Sequence, residues 1–380
     1  MKLKTIVKLG TMTSIVLFVF AVGYFAFMRM DMARHNRDIN LFSFVPDDCS
    51  GVLDSDNVNA FLGDYPMLNY ADELKTFQFS GLFNVILHEL NEYMLHRAHG
   101  LGGQIDHLLV SFHASSTASD QVVYFKTDID GERMVTDVLQ EYLSDRFLPK
   151  EVKYRGKTIY VYPLGDDEFL AVHTGGGFGV MSFQERLIEK VIDAKLDEKS
   201  LNDNPGFSEI RNKKKVKNYI TLYSRNSGIP FLEMGDNAWS EYDFHLNSDV
   251  LYLTGETYMS EPFPSSVADM NQHATFIKED SLIVSIVQDS TLVCMNQAFE
   301  ANECGNRTLF NECLSNLSQE AAFTLVADMQ QVIDKPERFQ NYLPAFVLDN
   351  AHLLRSFVLS VQLIVNEGRP SHIWVFTYKN

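Results

Sequence analysis

The sequence lacks most of what announces an enzyme. It has no C-x-x-C pair among its four cysteines, no G-x-S-x-G elbow, and no G-x-G-x-x-G in a strand–turn–helix setting. The first two absences remove a thioredoxin-like redox motif and an α/β-hydrolase nucleophile, and the third removes a dinucleotide-binding turn. Basic residues are also short: 32 Lys and Arg face 50 Asp and Glu, for a formal charge of −18. Six of the basic residues and only two acidic ones fall within residues 1–40, so residues 41–380 are more acidic still, at −22. A body of that charge repels phosphate backbones, which argues against nucleic acid as a partner.

What is present first is a run without charge. Twenty residues from Leu9 to Met28 separate Lys8 from Arg29 and include Ile15, Leu17, Phe18, Phe20 and Phe25. As a helix this run spans roughly 30 Å, the hydrocarbon thickness of a bilayer. It predicts a transmembrane helix over residues 9–28 with membrane lipid as its partner, after a short cytoplasmic tail (1–8) and before a polar stalk (29–40). Ala21-Val22-Gly23 also has the small-x-small form that signal peptidase cuts, but Tyr24–Met28 continue the apolar run, which favours a retained anchor. Lys2, Lys4 and Lys8 precede the helix, which predicts a body on the extracytoplasmic, periplasmic side.

The rest reads as α+β, with mostly antiparallel sheets, helices packed on one face, and two related lobes (41–217 and 218–380). Short segments rich in β-branched and aromatic residues predict strands over 108–113, 121–126, 158–162, 169–173, 219–223, 250–254, 282–287, 322–327, 357–365 and 372–378. Ser182-x-x-Glu185 has the form of a capping box opening a helix over 183–196, and further helices are predicted over 82–96 and 132–146. A degenerate repeat of strand, helical crossover and hairpin is expected, matching 49–126 with 322–377, with 219–254 as a third, shorter copy.

The segment Ser200-Leu201-Asn202-Asp203-Asn204-Pro205-Gly206-Phe207, followed by Tyr219–Tyr223, resembles a pattern in a family of uncharacterised, N-terminally membrane-anchored bacterial envelope proteins. The opening Val45-Pro46-Asp47-Asp48 and the N-terminal anchor are similar too. The resemblance covers residues 41–225 and implies architecture and location only, since that family has no agreed activity.

Several constellations invite chemistry. His88-Glu89-Leu90-Asn91-Glu92 fails as a zinc-protease motif because Glu92 stands where the second histidine belongs. His88 and Glu92 could share a metal with His96 or His99 within a histidine-rich stretch that runs on to His107 and His113; surface histidines on an amphipathic helix are the plainer account. Gly156-Lys157-Thr158 lacks the first glycine of a phosphate loop, and a strand comes after it. Gly175-Gly176-Gly177 reads as a hairpin turn. Glu233, Asp236, Glu241 and Asp243 surround Trp239 without calcium-loop spacing and read as a solvated loop. Arg211–Lys217 holds five basic residues in seven and reads as a solvated turn, or else a docking patch for an acidic partner. Cys304 and Cys313 are nine positions apart; if exported, a disulfide there would contribute about 2–3 kcal/mol, with buried free thiols as the alternative. No catalytic residue, cofactor or metal site emerges from the sequence. The expected role is non-enzymatic binding or scaffolding at the cell envelope with a protein partner there. An exported hydrolase whose site assembles only in three dimensions, or a periplasmic ligand binder released after Gly23, are the alternatives.

Overall fold

The computed structural model describes residues 39–56, 67–71, 107–113, 120–126, 139, 148–165, 168–213, 220–225, 238–258, 274–279, 282–287 and most of 309–379. The described strands form a single sheet of 15, every neighbouring pair antiparallel. Its first half holds β1 (Gly51–Ser55), β2 (Leu108–Phe112), β3 (Gln121–Lys126), β4 (Lys150–Tyr154), β5 (Lys157–Gly165), β6 (Glu168–Thr174) and β7 (Phe178–Ser182). The second holds β8 (Thr221–Arg225), β9 (Trp239–Leu246), β10 (Val250–Tyr258), β11 (Ala274–Glu279), β12 (Leu282–Val287), β13 (Phe323–Asp328), β14 (Phe357–Asn366) and β15 (Arg369–Tyr378). Reading outward from the centre, one side runs β1-β2-β3-β7-β6-β5-β4 and the other β8-β9-β10-β15-β14-β13-β12-β11. Each half is thus a three-strand meander whose third strand pairs with the last strand of the half. The halves meet where β1 pairs β8.

Repetition is therefore present in the strand order, but in a different register from the expected one. The segment expected as a short third copy (219–254) matches the opening triplet β1–β3, and the closing strands match β4–β7. Strand–hairpin triplets recur at several places in an antiparallel meander, so local order alone cannot select the correct alignment.

Side-chain alternation assigns the cores to faces. Val52 pairs with Tyr223, and Leu53 with Leu222. Val52 and Tyr223 belong to one cluster with Leu187, Ile188 and Val191 of helix α1 (Glu185–Leu196) and with Phe207 and Ile210 of helix α2 (Pro205–Lys213). On the opposite face Leu53 packs against Val110, Val123, Phe125 and Met181, and Leu222 against the larger core of Phe323, Leu325, Leu359, Val361 and Trp374. Helix α3 (Met329–Asp334) contributes Met329 and Val332 to that larger core. The helices thus cover both faces, where the sequence predicts one. A sheet this wide leaves apolar alternation on both sides, and each side needs cover.

The expected capping box at Ser182 is absent. Ser182 closes β7, its hydroxyl donates to the Gln121 carbonyl (2.8 Å), and α1 begins at a Gln184 N-cap with no side-chain bond. The box forms instead at Ser200, whose hydroxyl and backbone N–H both donate to Asp203 Oδ2 (2.6 and 3.1 Å). Leu201 and Phe207 are fully buried. The segment that resembles the envelope family is thus a structural connector from α1 into α2.

That connector clasps the chain just ahead of β1. Asn40 Nδ2 donates to Asn202 Oδ1 (2.7 Å) and Leu201 N–H to the Val45 carbonyl (2.7 Å). Pro46 bridges Ser200, and Asn204 Nδ2 donates to Asp47 Oδ1 (2.8 Å). Leu41, Phe42 and Phe44 are buried beneath.

Candidate functional site

Three polar constellations among the described residues merit a functional reading. The first has the composition of an acyl-transfer triad. Alternation along β2 places Ser111 and His113 on the α1–α2 face, beside Tyr124 of β3. Ser111 Oγ lies 3.0 Å from His113 Nε2 and 3.1 Å from Tyr124 Oη. His113 Nδ1 is 3.8 Å from Asp48 Oδ1, which is too long for a hydrogen bond, while Lys190 pairs with Asp48. Ser111 is 0% exposed. Cys49 is close by, its thiol pushed up to about 12 by burial, so it is equally inert. A substrate carbonyl cannot reach the Ser111 oxygen: the two hydroxyls and His113 Nε2 satisfy one another inside the core, while His113 Nδ1 has no hydrogen-bond partner among the described residues.

The second lies on the other face at the sheet's centre. Ser240 Oγ is 2.6 Å from Thr257 Oγ1, which is 2.5 Å from His372 Nε2. Tyr242 packs against both His372 and Trp374. All three members of the hydrogen-bonded chain are buried, with His372 at 1% exposure.

Burial holds both imidazoles neutral, lowering His113 to about 4 and His372 to about 3. In the unfolded chain each would titrate near about 6.5. Their stabilising effect is therefore complete above that pH and is lost as pH falls towards the folded values, because the unfolded state binds protons first. Each ring is expected to remove about 1.4 kcal/mol per pH unit through that window. Urea midpoints compared between neutral pH and about pH 5 check this; a flat profile contradicts neutral burial of the two rings.

The third constellation is open to solvent. Asp54 ends a run of residues on β1 that alternate towards the α1–α2 face, and Asp56 is the next residue on that face. The β1–β2 register, Ser55 opposite Leu108, brings His107 alongside Asp56. His107 Nε2 lies 2.6 Å from Asp54 Oδ1 and 3.2 Å from Asp56 Oδ1. Side-chain exposures are 16% for His107, 15% for Asp54 and 26% for Asp56. On the far side of β1, Asp54 faces Thr221, whose hydroxyl donates to Asp243 Oδ1 (2.7 Å).

No family model matches the chain, and neither does any curated protein. Among solved structures it is similar to crystal form III of TP0453, at 10% identity and a TM-score of 0.35, over 64% of this chain and 90% of that one. Crystal form I of TP0453 matches at 11% identity and a TM-score of 0.32, over 60% and 81%. Likeness at that level carries no conclusion about fold or chemistry.

The residues singled out in the sequence are scattered through the molecule. The anchor residues from Leu9 to Met28 lie outside the described residues, as do His88, Glu92, His96, His99, Glu233, Asp236 and Cys304. Among the described residues no helix is long and apolar enough to cross a membrane. Cys313 is buried, with its Sγ facing Thr377 Oγ1 at 3.7 Å; the expected pairing with Cys304 falls outside the described residues. Gly156-Lys157-Thr158 sits at the β4–β5 hairpin, where Arg155 and Gly156 adopt φ of 48° and 80°, as a two-residue hairpin turn requires. Gly175–Gly177 join β6 to β7, all with positive φ. Trp239, Glu241 and Asp243 belong to strand β9 and not to a loop, with Trp239 fully buried. Arg211 is part of α2 and stacks over the Phe42 ring at 4.4 Å, so the basic stretch begins in a packed helix and not in a solvated turn.

Proposed function

We propose that the chain is a single-pass membrane protein, anchored through residues 9–28, with a two-lobed body (41–217 and 218–380) on the extracytoplasmic side. Its role is non-enzymatic binding or scaffolding of a protein partner at the cell envelope. One contrast supports this reading. The Ser111–His113 and Ser240–Thr257–His372 chains are sealed, whereas one strip of the sheet is partly open. On that strip His245 stacks on Tyr252 with ring centroids 4.4 Å apart, and Tyr252 and Thr254 pair with Val375 and Ile373 of β15. All five are half-buried. Aromatic and β-branched side chains left half-open on a rigid sheet are the composition of a protein-binding patch.

The test combines location and partner. Full-length protein is expected in the membrane pellet after alkaline washing and a chain lacking residues 1–28 in the supernatant. Crosslinking in intact cells is expected to capture a protein that is lost in a folded Tyr252→Arg/Val375→Arg double variant. Capture unchanged by that variant, or full-length chain washed free of lipid, overturns the reading.

A further inference from the structure

We infer that Asp54, Asp56 and His107 form a binding site for one divalent cation of the zinc class. The three ligand atoms come from two adjacent strand ends and lie within 4.8 Å of one another. Their placement is a product of the ladder. Asp54 and Asp56 are two residues apart, so both carboxylates project to the same face. His107 stands at the next paired position, and its ring projects to that face as well. Backbone bonds fix both sides: the His107 carbonyl accepts from Lys126 N–H (3.1 Å), and β1 is held by β2 on one flank and β8 on the other. The donor atoms are therefore positioned before any ion arrives.

The donor set decides the class of ion. One imidazole nitrogen with two carboxylate oxygens suits zinc or a similar transition metal; calcium and magnesium favour oxygen alone. Tetrahedral zinc with ligands at about 2.0–2.2 Å places them about 3.3 Å apart. The 3.2 Å between His107 and Asp56 already meets that spacing. The 2.6 Å contact to Asp54 is a hydrogen bond that opens by less than an ångström when Nε2 gives up its proton and turns its lone pair to the metal. Water takes the fourth position at this partly exposed site, as it does in zinc sites with three protein ligands.

The surroundings favour a cation. The carboxylate of Asp243 lies one strand further on, beyond Thr221. The neighbouring Tyr223 hydroxyl is driven upward by burial and then by Asp54, Glu241 and Asp243, with Arg211 opposing, which marks a net negative field on this face.

The experiment is calorimetric titration of the detergent-solubilised full chain with Zn2+ alone, after stripping with chelator. One saturable equivalent is expected, with affinity falling about tenfold or more in His107→Gln and in Asp56→Asn. Binding that persists unchanged in the double variant overturns the inference, as does the absence of saturation. Zinc K-edge absorption on the unaltered protein needs no folded variant. It is expected to report one imidazole with oxygen ligands; sulfur, or two or more imidazoles, places the ion elsewhere and overturns the assignment.

Discussion

Truncating Phe207 to alanine is expected to cost about 3–5 kcal/mol of folding free energy. Phe207 is fully buried where three elements converge on α2. Its ring centroid lies 5.1 Å from Phe42 of the N-terminal clasp, 5.2 Å from Tyr223 of β8 and 5.3 Å from Trp239 of β9. The contacts with Tyr223 and Trp239 are edge-to-face, the arrangement that the aromatic quadrupole favours. Phe42, Tyr223 and Trp239 are anchored in separate elements, so they cannot all move inward to fill the space. The penalty then contains both the lost transfer energy and most of a cavity term. Urea denaturation of Phe207→Ala and Phe207→Leu checks this, with leucine expected to restore a large part of the loss. A drop below about 1 kcal/mol for alanine would mean that the aromatic quartet does not join the clasp to the sheet.

Gly255→Ala is expected to be as damaging for a smaller change in volume. A Cβ at Gly255 would lie 1.6 Å from the Glu241 carbonyl oxygen and 2.6 Å from its carbon. Both are backbone atoms of β9, so relief requires β9 and β10 to separate. Gly179 is the natural control. There the three atoms nearest a Cβ all belong to the Phe125 ring, the first at 2.1 Å, and Phe125 is its direct cross-strand partner. A ring can tilt where a strand cannot. Gly255→Ala is expected to cost about 3 kcal/mol or more, beyond ordinary overpacking, and Gly179→Ala about 1–3. Separation of the strands at Gly255 would also pull Thr257 from Ser240, weakening a buried hydroxyl contact. Denaturation midpoints of the two variants make the comparison; equal losses would show that β9 yields as readily as a side chain.

Much of the sheet is legible in the sequence because its inner strands carry dense β-branched and aromatic runs. Residues 121–126 and 282–287 form strands with the boundaries read from sequence, and 357–365 and 372–378 extend by one to three residues. The edge strand β4 gives no such signal. Its sequence Lys-Glu-Val-Lys-Tyr puts charge where alternation would signal burial, and charge at an edge discourages pairing with another chain. The serine of S-x-x-E at 182 misleads because it closes β7: its hydroxyl donates to the Gln121 carbonyl and accepts from Gln184 N–H, one residue short of the box. The polar constellations cannot be found by spacing. His107 is visible as one of a run of histidines, but its pairing with Asp54 and Asp56 depends on strand register across more than fifty residues. The approach of Asp48 to His113 likewise spans more than fifty residues.

The clasp between residues 40–47 and the α1–α2 connector decides where a pull on the chain ahead of β1 would be borne. From Asn40 onward the chain is stitched to Asn202, Leu201, Ser200 and Asn204. The segment ahead of the sheet is therefore sewn to the α1–α2 side of the body. Tension on the chain ahead of Asn40 would be met by that seam before it met any strand of the sheet.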